Sequence, residues 1–393
     1  MTSIRLAALA VFAFVTLFGW SCKHDKAEPR GFRTVWAIKP SLKFEICNMI
    51  GILIGRETEL RAHPQIHREW QANLPVEVRA ALQTIDRIIG PNWPPGPRLS
   101  LLWANLPEVD SLHTLLVNIR PDTAVREALM ASDYGSERNW TQWLELKPHV
   151  EVVVQYLATT RFDSYWRARI LPSLAGRIAT LKQELQAYDL VGDIQRFLRD
   201  YTFARDTITV YVLALARPHE LRLRSQSRYT DAQFSARPLV RSFYQEMLHP
   251  YCDALVDSVF REEFAALQSD PFVQEAWRNT TNNGATANFS EFLKKEIVLA
   301  ATLWLAERRQ LLTTVESGYA YEAGVVVRNY LRPKGPKVHA VAGVLYSYLE
   351  SGLKIERVSY AGFIKDLFAT GRLQPGKIAS RYEEFITTSL PEN

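Results

Sequence analysis

The chain has 393 residues, of which 47% are apolar, and this combination excludes both a disordered chain and a small disulfide-stapled protein. Forty-seven basic residues against 42 acidic ones leave a formal charge of +5, and the two signs are interspersed rather than grouped into runs. We therefore predict no nucleic-acid surface and no polybasic membrane patch. Three cysteines are too few for a disulfide framework or a cysteine-based zinc ribbon.

The beginning of the chain has the layout of a secretory signal. Residues 1–5 form a short head with one positive charge, and residues 6–20 are almost entirely apolar. As a helix this apolar run would rise about 22 Å, which is short of the roughly 30 Å hydrocarbon core of a bilayer. We therefore predict export, to the periplasm, to the outer membrane as a lipoprotein, or to the medium. The predicted organisation is a signal over residues 1–22, a tether over 23–34 and one domain over 35–393.

The three cysteines have different predicted roles. Cys22 ends the apolar run and precedes a polar stretch, as in bacterial lipoprotein signals, so it is the candidate for lipidation and for the only predicted membrane contact. Gly19 and Trp20 depart from the usual residues before a lipidated cysteine, so ordinary cleavage stays open as the alternative. Cys47 and Cys252 are flanked by apolar residues and are predicted core residues, and a disulfide between them also stays open.

The mature chain is predicted to be mostly helical. Apolar residues at helical spacing predict a helix over residues 44–54 that ends near Gly55, and Pro75 and Gly90 are placed to begin and end a second helix. Residues 91–97 contain four prolines and are predicted to form a loop. Further helices are predicted over residues 150–156, 165–174 and 178–201.

The pattern changes after these helices. Residues 206–215 are rich in β-branched and aromatic side chains, and residues 220–228 begin with alternating polar and apolar positions. Both segments are predicted strands, with a turn at 217–219 between them. A small sheet, with a hairpin as one arrangement, therefore comes directly before the next predicted helix, which starts at Pro238.

That helix carries the run Gln-Glu-Met-Leu-His at residues 245–249, which has the spacing of the zinc motif H-E-x-x-H. Residues four apart share one face of a helix, so two imidazoles there can bind one zinc ion while the glutamate acts as general base. The base Glu246 and the second ligand His249 are present, and the first imidazole is absent. Asp253 is a candidate to orient His249. Glu296, on an apolar helix further on, is the candidate third ligand.

With these features the chain resembles a family of exported bacterial proteins of unknown function that carry an H-E-F-x-H helix and look like gluzincin metallopeptidases. The resemblance implies an α+β fold, mainly α-helical and zincin-like, with a small sheet before the active-site helix. It also implies Glu246 as general base, His249 and Glu296 as zinc ligands, and Gln245 in the place of the first histidine. The matching features are the helix over 44–54, the His63-Pro64 step, the strand near Thr209, the helix over 245–257 with its His-Pro-Tyr run, and the Glu296 helix.

The glutamine decides how much of the implied function applies. Because a neutral amide oxygen is a poorer zinc donor than imidazole, zinc binding is predicted to be weak or absent, at a cost of about 3 kcal/mol or more. The predicted function is an exported metallopeptidase-like protein with a degenerate zinc site, weakly active or inactive, whose partner is a peptide or protein. Two alternatives stay open: a cell-envelope peptide-binding or scaffold domain without catalysis, and an active zinc peptidase with Gln245 as an unusual ligand. A chance match in a helical structural protein is a third.

Two further groups of residues have both a chemical and a structural interpretation. Tyr319 and Tyr321 follow the Glu296 helix, and zincins often place a tyrosine near the tetrahedral intermediate, so either could donate to the oxyanion. Packing is the alternative for both. His63 and His67 have the spacing of metal ligands, but Pro64 makes His63 a predicted helix boundary instead.

Overall fold

The structure is a computed structural model, and it describes residues 33–217, 220–281, 288–312, 331, 339–351 and 358–387. Contacts divide the chain into two units, Met1–Arg33 and Thr34–Asn393, and the fold described below belongs to the second. The predicted signal, Cys22, Tyr319 and Tyr321 lie outside the described residues. Among the helices that are described, none has the length and apolar character needed to span a membrane.

The first part of the fold is a short strand followed by a long series of helices. A π-helical turn, Trp166–Ile170, joins the ninth helix to the tenth. In chain order the elements are β1 (Val35–Lys39), α1 (Leu42–Ile54), α2 (Glu57–Ala62), α3 (Pro64–Gln71), α4 (Val76–Ile89), α5 (Pro95–Leu102), α6 (Leu112–Ile119), α7 (Asp122–Met130), α8 (Glu137–Thr159), α9 (Phe162–Tyr165), α10 (Leu171–Leu185) and α11 (Leu190–Leu198).

The helices α1 and α4 confirm the boundaries that the sequence predicts. The Ser41 hydroxyl accepts a hydrogen bond from the Phe44 amide at 3.4 Å, and Gly55 ends α1 with φ of 79°. A side-chain cap satisfies an amide of the first turn, and glycine adopts positive φ without the steric cost of a Cβ. Pro75 and Gly90 flank α4 at the predicted positions.

Prolines at helix starts explain one wrong prediction and one confirmed prediction. The predicted loop over residues 91–97 is wrong in its second half, because α5 begins at Pro95 and includes Pro97. The first turn of a helix has amides without intrahelical acceptors, so proline costs nothing there. Pro64 opens α3 in the same way, and the predicted boundary at His63 is confirmed, since this residue ends α2 and precedes α3.

The later helical predictions are confirmed in kind and corrected in extent. Residues 150–156 lie within the longer α8, and residues 165–174 are helical from α9 into α10. The prediction of a single helix over 178–201 is wrong, because a non-helical segment separates α10 from α11. The Asp189 carboxylate accepts from the Gly192 amide and so begins a new helix, which competes with continuing the old one.

The sheet has four strands in the order β1-β2-β4-β3, with β2 at Thr207–Leu213, β3 at Glu220–Arg224 and β4 at Ser227–Asp231. β1, β2 and β4 run parallel, while β3 is antiparallel and forms one edge. Both predicted strand segments contain strands, but the hairpin joins β3 to β4 and the second segment contains its turn. β1 was not predicted, because it is short and lies next to the predicted tether.

Helices make up the rest of the described chain. The predicted apolar helix that contains Glu296 is confirmed as α15, which packs against both α12 and α16. Cys47 and Cys252 are buried and free, as expected of core residues. The α+β class, mainly helical with a small sheet, is therefore confirmed. The elements are α12 (Ala236–Ala254), α13 (Arg261–Ala266), α14 (Pro271–Thr281), α15 (Phe289–Arg308), α16 (Ala340–Glu350), α17 (Tyr360–Ala369) and α18 (Ile378–Thr387).

The two faces of the sheet pack on different helices. Side chains alternate along a strand, so residues two apart point to the same face. On one face Trp36 meets Phe243 of α12, with ring centroids 5.9 Å apart. On the other face Tyr211 and Tyr229 pack around Phe44 of α1, at 5.0 and 5.9 Å. The helix with the zinc-like motif thus lies against one face of the sheet, and α1 lies against the other.

Candidate functional site

Helix α12 presents the motif residues at the edge of a buried surface. Phe243 and Met247 are fully buried, which fixes the rotation of the helix about its own axis. Gln245 is then exposed, while Glu246 and His249 are half-buried. The predicted helix is therefore confirmed, and the motif positions lie along the border between core and solvent.

The Glu246 carboxylate is held by two arginines of the sheet. Arg222 on β3 and Arg228 on β4 are directly opposite each other in the antiparallel register, so their side chains share a face. Like charges in that position repel each other. Glu246 compensates both, because Oε2 accepts from Nη1 of Arg222 and Oε1 lies 3.3 Å from Nη2 of Arg228. The side chain of Arg228 is only 4% exposed and that of Glu246 is 19% exposed.

Further polar groups surround this pair of arginines. Glu220 lies 2.9 Å from Nη1 of Arg228, and the Tyr134 hydroxyl donates to the main-chain carbonyl of Arg222 at 2.8 Å. Burial raises the pKa of Glu220, and Arg228 opposes that rise. Burial works to lower the pKa of Arg222, yet Glu246 and Tyr134 raise it above its ordinary value. We call Glu220, Arg222, Arg228 and Glu246 the sheet cluster.

His249 and its neighbours lie on the next turn of α12. Its Nδ1 atom is 3.4 Å from Oδ1 of Asp253, so the carboxylate proposed to orient this imidazole lies beside it. Asp257, just beyond the end of α12, pairs with Lys294 of α15 at 2.8 Å. Lys294 favours the anion, and the pKa of Asp257 is lowered through this hydrogen bond.

The Glu296 carboxylate lies at the beginning of α16. Oε2 accepts from the amides of Val341 and Ala342 at 3.1 and 3.0 Å, and Oε1 is 2.9 Å from Nδ1 of His339. Carboxylates are favoured at helix N-termini because amides there lack intrahelical acceptors. None of these contacts goes to the motif on α12. His339 could not be identified from the sequence, because no local pattern indicates that Glu296 of α15 caps α16 and contacts this histidine.

The candidate zinc ligands have other partners or face solvent. Within the ranges that the structure describes, no three histidine, cysteine, aspartate or glutamate side chains are grouped to hold a metal ion. Gln245 offers an exposed neutral amide, Glu246 is bound to arginine, and the Glu296 oxygens accept from the start of another helix. These contacts do not fit a site in which three protein ligands converge on one ion.

The sequence did not identify the two arginines as partners of Glu246, although it could predict the strand face on which Arg222 lies. The alternation in residues 220–224 places Arg222 on one face of a strand. Its pairing with Arg228 depends on the β3–β4 register, which includes an irregularity between residues 222 and 224. A one-residue change of register moves a side chain to the other face, so this pair could not be predicted from alternation alone.

No protein-family model, no curated protein and no solved structure matches this chain. The resemblance to gluzincin metallopeptidases therefore depends on the chain's own residues. Those are the run at 245–249, Glu296 and the order of strands and helix before the motif.

Proposed function

We propose that this chain is an exported metallopeptidase-like protein whose zinc site is degenerate and which does not hydrolyse peptides. The order of the elements supports the zincin-like part of the proposal. An antiparallel edge strand, β3, borders an otherwise parallel sheet and comes shortly before the motif helix α12. An edge strand of this kind is what a peptidase cleft needs to pair with the main chain of a substrate.

The contacts of the Glu246 carboxylate are the observation that supports a protein without hydrolytic activity. A general base must reach the water molecule from which it takes a proton. Both carboxylate oxygens of Glu246 are instead bound by guanidinium groups from the sheet. Arg228 is buried and cannot turn to solvent without losing its partners, so this arrangement favours a structural role for Glu246.

The edge strand itself favours the scaffold form of this proposal. The Tyr134 hydroxyl already donates to the carbonyl of Arg222, so one main-chain acceptor of β3 is occupied within the fold. A substrate backbone would have to displace this hydrogen bond to pair there. We therefore propose a cell-envelope scaffold role without catalysis, in which a peptide or protein partner does not pair with the main chain of β3 at Arg222.

The deciding experiment measures zinc in the purified mature protein by mass spectrometry. We expect far less than one zinc per chain, and more zinc after Gln245→His, because the substitution restores an imidazole four residues before His249. Gln83→His is the matched control. Gln83 is exposed on α4 and has no histidine four residues away, so zinc content should stay at the level of the unmodified protein.

Hydrolysis of unfolded protein substrates is measured on the same samples. We expect none above background from the unmodified chain. Stoichiometric zinc together with hydrolysis that Glu246→Gln abolishes would overturn the proposal and establish an active peptidase with Gln245 as an unusual ligand. Zinc that does not rise in Gln245→His would instead remove the metallopeptidase-like assignment.

A further inference from the structure

A surface groove of about 610 Å³ lies far along the chain from the motif helix, between the residues 90–93 and the first turns of α8. Trp93 forms part of one wall, and Arg98, Arg138, Gln142 and Glu145 also line the groove. Nothing in the proposed function uses these residues. The groove is therefore a separate candidate for ligand binding.

The backbone of the wall that carries Trp93 is held by Arg56, which does not itself line the groove. Arg56 donates from Nη1 to the carbonyl of Trp93 at 2.7 Å and from Nη2 to the carbonyl of Gly90 at 2.8 Å. Its Nε donates to Oδ1 of Asp86 at 2.6 Å, which anchors the arginine to α4. A ligand would thus meet a wall whose backbone is already held in place, and would not have to order it.

Arg98 is held at the other side by two neutral amides. Its Nε donates to Oε1 of Gln142 at 2.8 Å, and its Nη2 donates to the amide oxygens of Gln142 and Asn139. The amide nitrogens are committed elsewhere, Gln142 to the carbonyl of Ile88 at 3.2 Å and Asn139 to the carbonyl of Tyr134 at 2.7 Å. Both amide oxygens are therefore fixed toward the guanidinium.

Within the described residues, the two arginines that line the groove, Arg98 and Arg138, form no ion pair. Glu145 also lines the groove and pairs with neither of them in this part of the structure. Burial lowers the pKa of Arg98, and the neighbouring Arg138 lowers it further, since each disfavours the cation. The hydrogen bonds of Arg98 to described residues come from Nε and Nη2, so Nη1 is left to meet a ligand or solvent.

We propose that this groove binds a small organic monocarboxylate, with its anionic group on Nη1 of Arg98 and on Arg138 and its flat apolar part on Trp93. The Trp93 side chain is 43% exposed, and its ring centroid is 5.8 Å from the guanidinium carbon of Arg98. The guanidinium lies over the ring and the ring stays partly exposed, and this pair matches a ligand that joins a carboxylate to a flat apolar group. Glu145 disfavours a dianion such as phosphate, because it adds negative charge to the lining.

The test titrates the full mature protein with three probes and follows heat or chemical-shift changes. Benzoate carries both the anion and the ring, acetate carries only the anion, and benzyl alcohol carries only the ring. We expect benzoate to bind most tightly of the three. Arg98→Gln should weaken benzoate binding by about tenfold or more, because it removes the charge-assisted hydrogen bond.

Two more variants test the proposal independently, in case Arg98→Gln disturbs the fold. Arg138→Gln and Trp93→Leu change side chains that face solvent, and each should weaken benzoate binding by about threefold to tenfold. Arg87→Gln is the matched control, since Arg87 is an exposed arginine outside the groove lining and the net charge changes equally. Benzoate binding that is absent, that equals benzyl alcohol binding, or that Arg138→Gln and Trp93→Leu leave unchanged would overturn the proposal.

Discussion

Two glutamates approach the same sheet from helices on its opposite faces, and they are compensated in different ways. Glu246 of α12 is bound by arginines of β3 and β4. Glu45 of α1 is fully buried and accepts from two main-chain amides, Ala214 at 2.7 Å and Leu215 at 2.9 Å, just beyond the end of β2. Burial raises the pKa of Glu45 to about 7, although the two amides oppose the rise.

The difference shows that hydrogen bonds and opposite charges are not equivalent partners for a buried carboxylate. Amide dipoles satisfy the oxygens of Glu45 but leave its charge in a dry environment, so its protonation depends on pH near neutrality. Glu246 meets opposite charge directly, and in turn keeps two cross-strand arginines from repelling each other. Of the two, the residue at the motif position is the one that the sheet depends on for charge balance.

The largest expected effect comes from removing the charge of Glu246. Glu246→Gln keeps the shape of the side chain but removes the carboxylate that Arg222 and Arg228 share, while Glu220 still pairs with the buried Arg228 at 2.9 Å. We expect the free energy of unfolding, measured by urea denaturation, to fall by about 3 kcal/mol, at the lower end of the cost of losing one partner of a buried ion pair. A catalytic glutamate free of such partners would tolerate the same substitution.

An exposed ion pair provides the comparison for Glu246→Gln. Glu137 lies 2.7 Å from Arg126, and the side chains are 71% and 52% exposed. Glu137→Gln should lower the free energy of unfolding by less than about 1 kcal/mol, because solvent screens this pair. If Glu246→Gln cost no more than Glu137→Gln, the structural role assigned to Glu246 would be wrong.

The second prediction concerns the dependence of stability on pH through Glu45. Its pKa is about 7 in the folded protein against an ordinary 4.5, so the native state binds this proton more tightly than the unfolded chain. The stabilisation from Glu45 is therefore complete below pH 4.5 and is lost as the pH rises to about 7. The difference between these values corresponds to about 3 kcal/mol.

The measurement compares the unmodified protein with Glu45→Gln between pH 4.5 and 8. Glutamine does not titrate, and its amide group faces the same two main-chain donors at every pH, so its own cost is constant. The stability advantage of the unmodified protein over Glu45→Gln should shrink by about 3 kcal/mol across this range. An advantage that stays constant with pH would show that Glu45 does not titrate there.

The helices that carry the two glutamates could be predicted from the sequence, whereas the roles of the glutamates could not. The helices α1 and α12 follow from apolar spacing, and Gly55 and Pro75 mark boundaries through their backbone preferences. The roles of Glu45 and Glu246 depend instead on contacts between residues far apart in the chain. Glu45 finds its amides about 170 positions away, and the arginines beside Glu246 depend on strand register, so no local pattern indicates either.

Glu296 was predicted as a zinc ligand, and its contacts resemble those of Glu45 rather than those of Glu246. It accepts two amides at the start of α16, with His339 as an additional partner. Glu296→Ala should lower the free energy of unfolding by about 2 kcal/mol, because buried amides at a helix start lose their acceptor. Asn288→Ala provides the scale, since it removes an exposed side-chain cap from α15 and should cost about 1 kcal/mol.

The same residue can be tested as a ligand without relying on stability. Glu296→Gln keeps an acceptor oxygen for α16 but removes the charge that a zinc ligand would supply. In a Gln245→His background, zinc content should be the same with Glu296 and with Gln at this position if the carboxylate is a helix cap. A clear loss of zinc in the double variant would instead show that Glu296 is a zinc ligand together with the motif residues of α12.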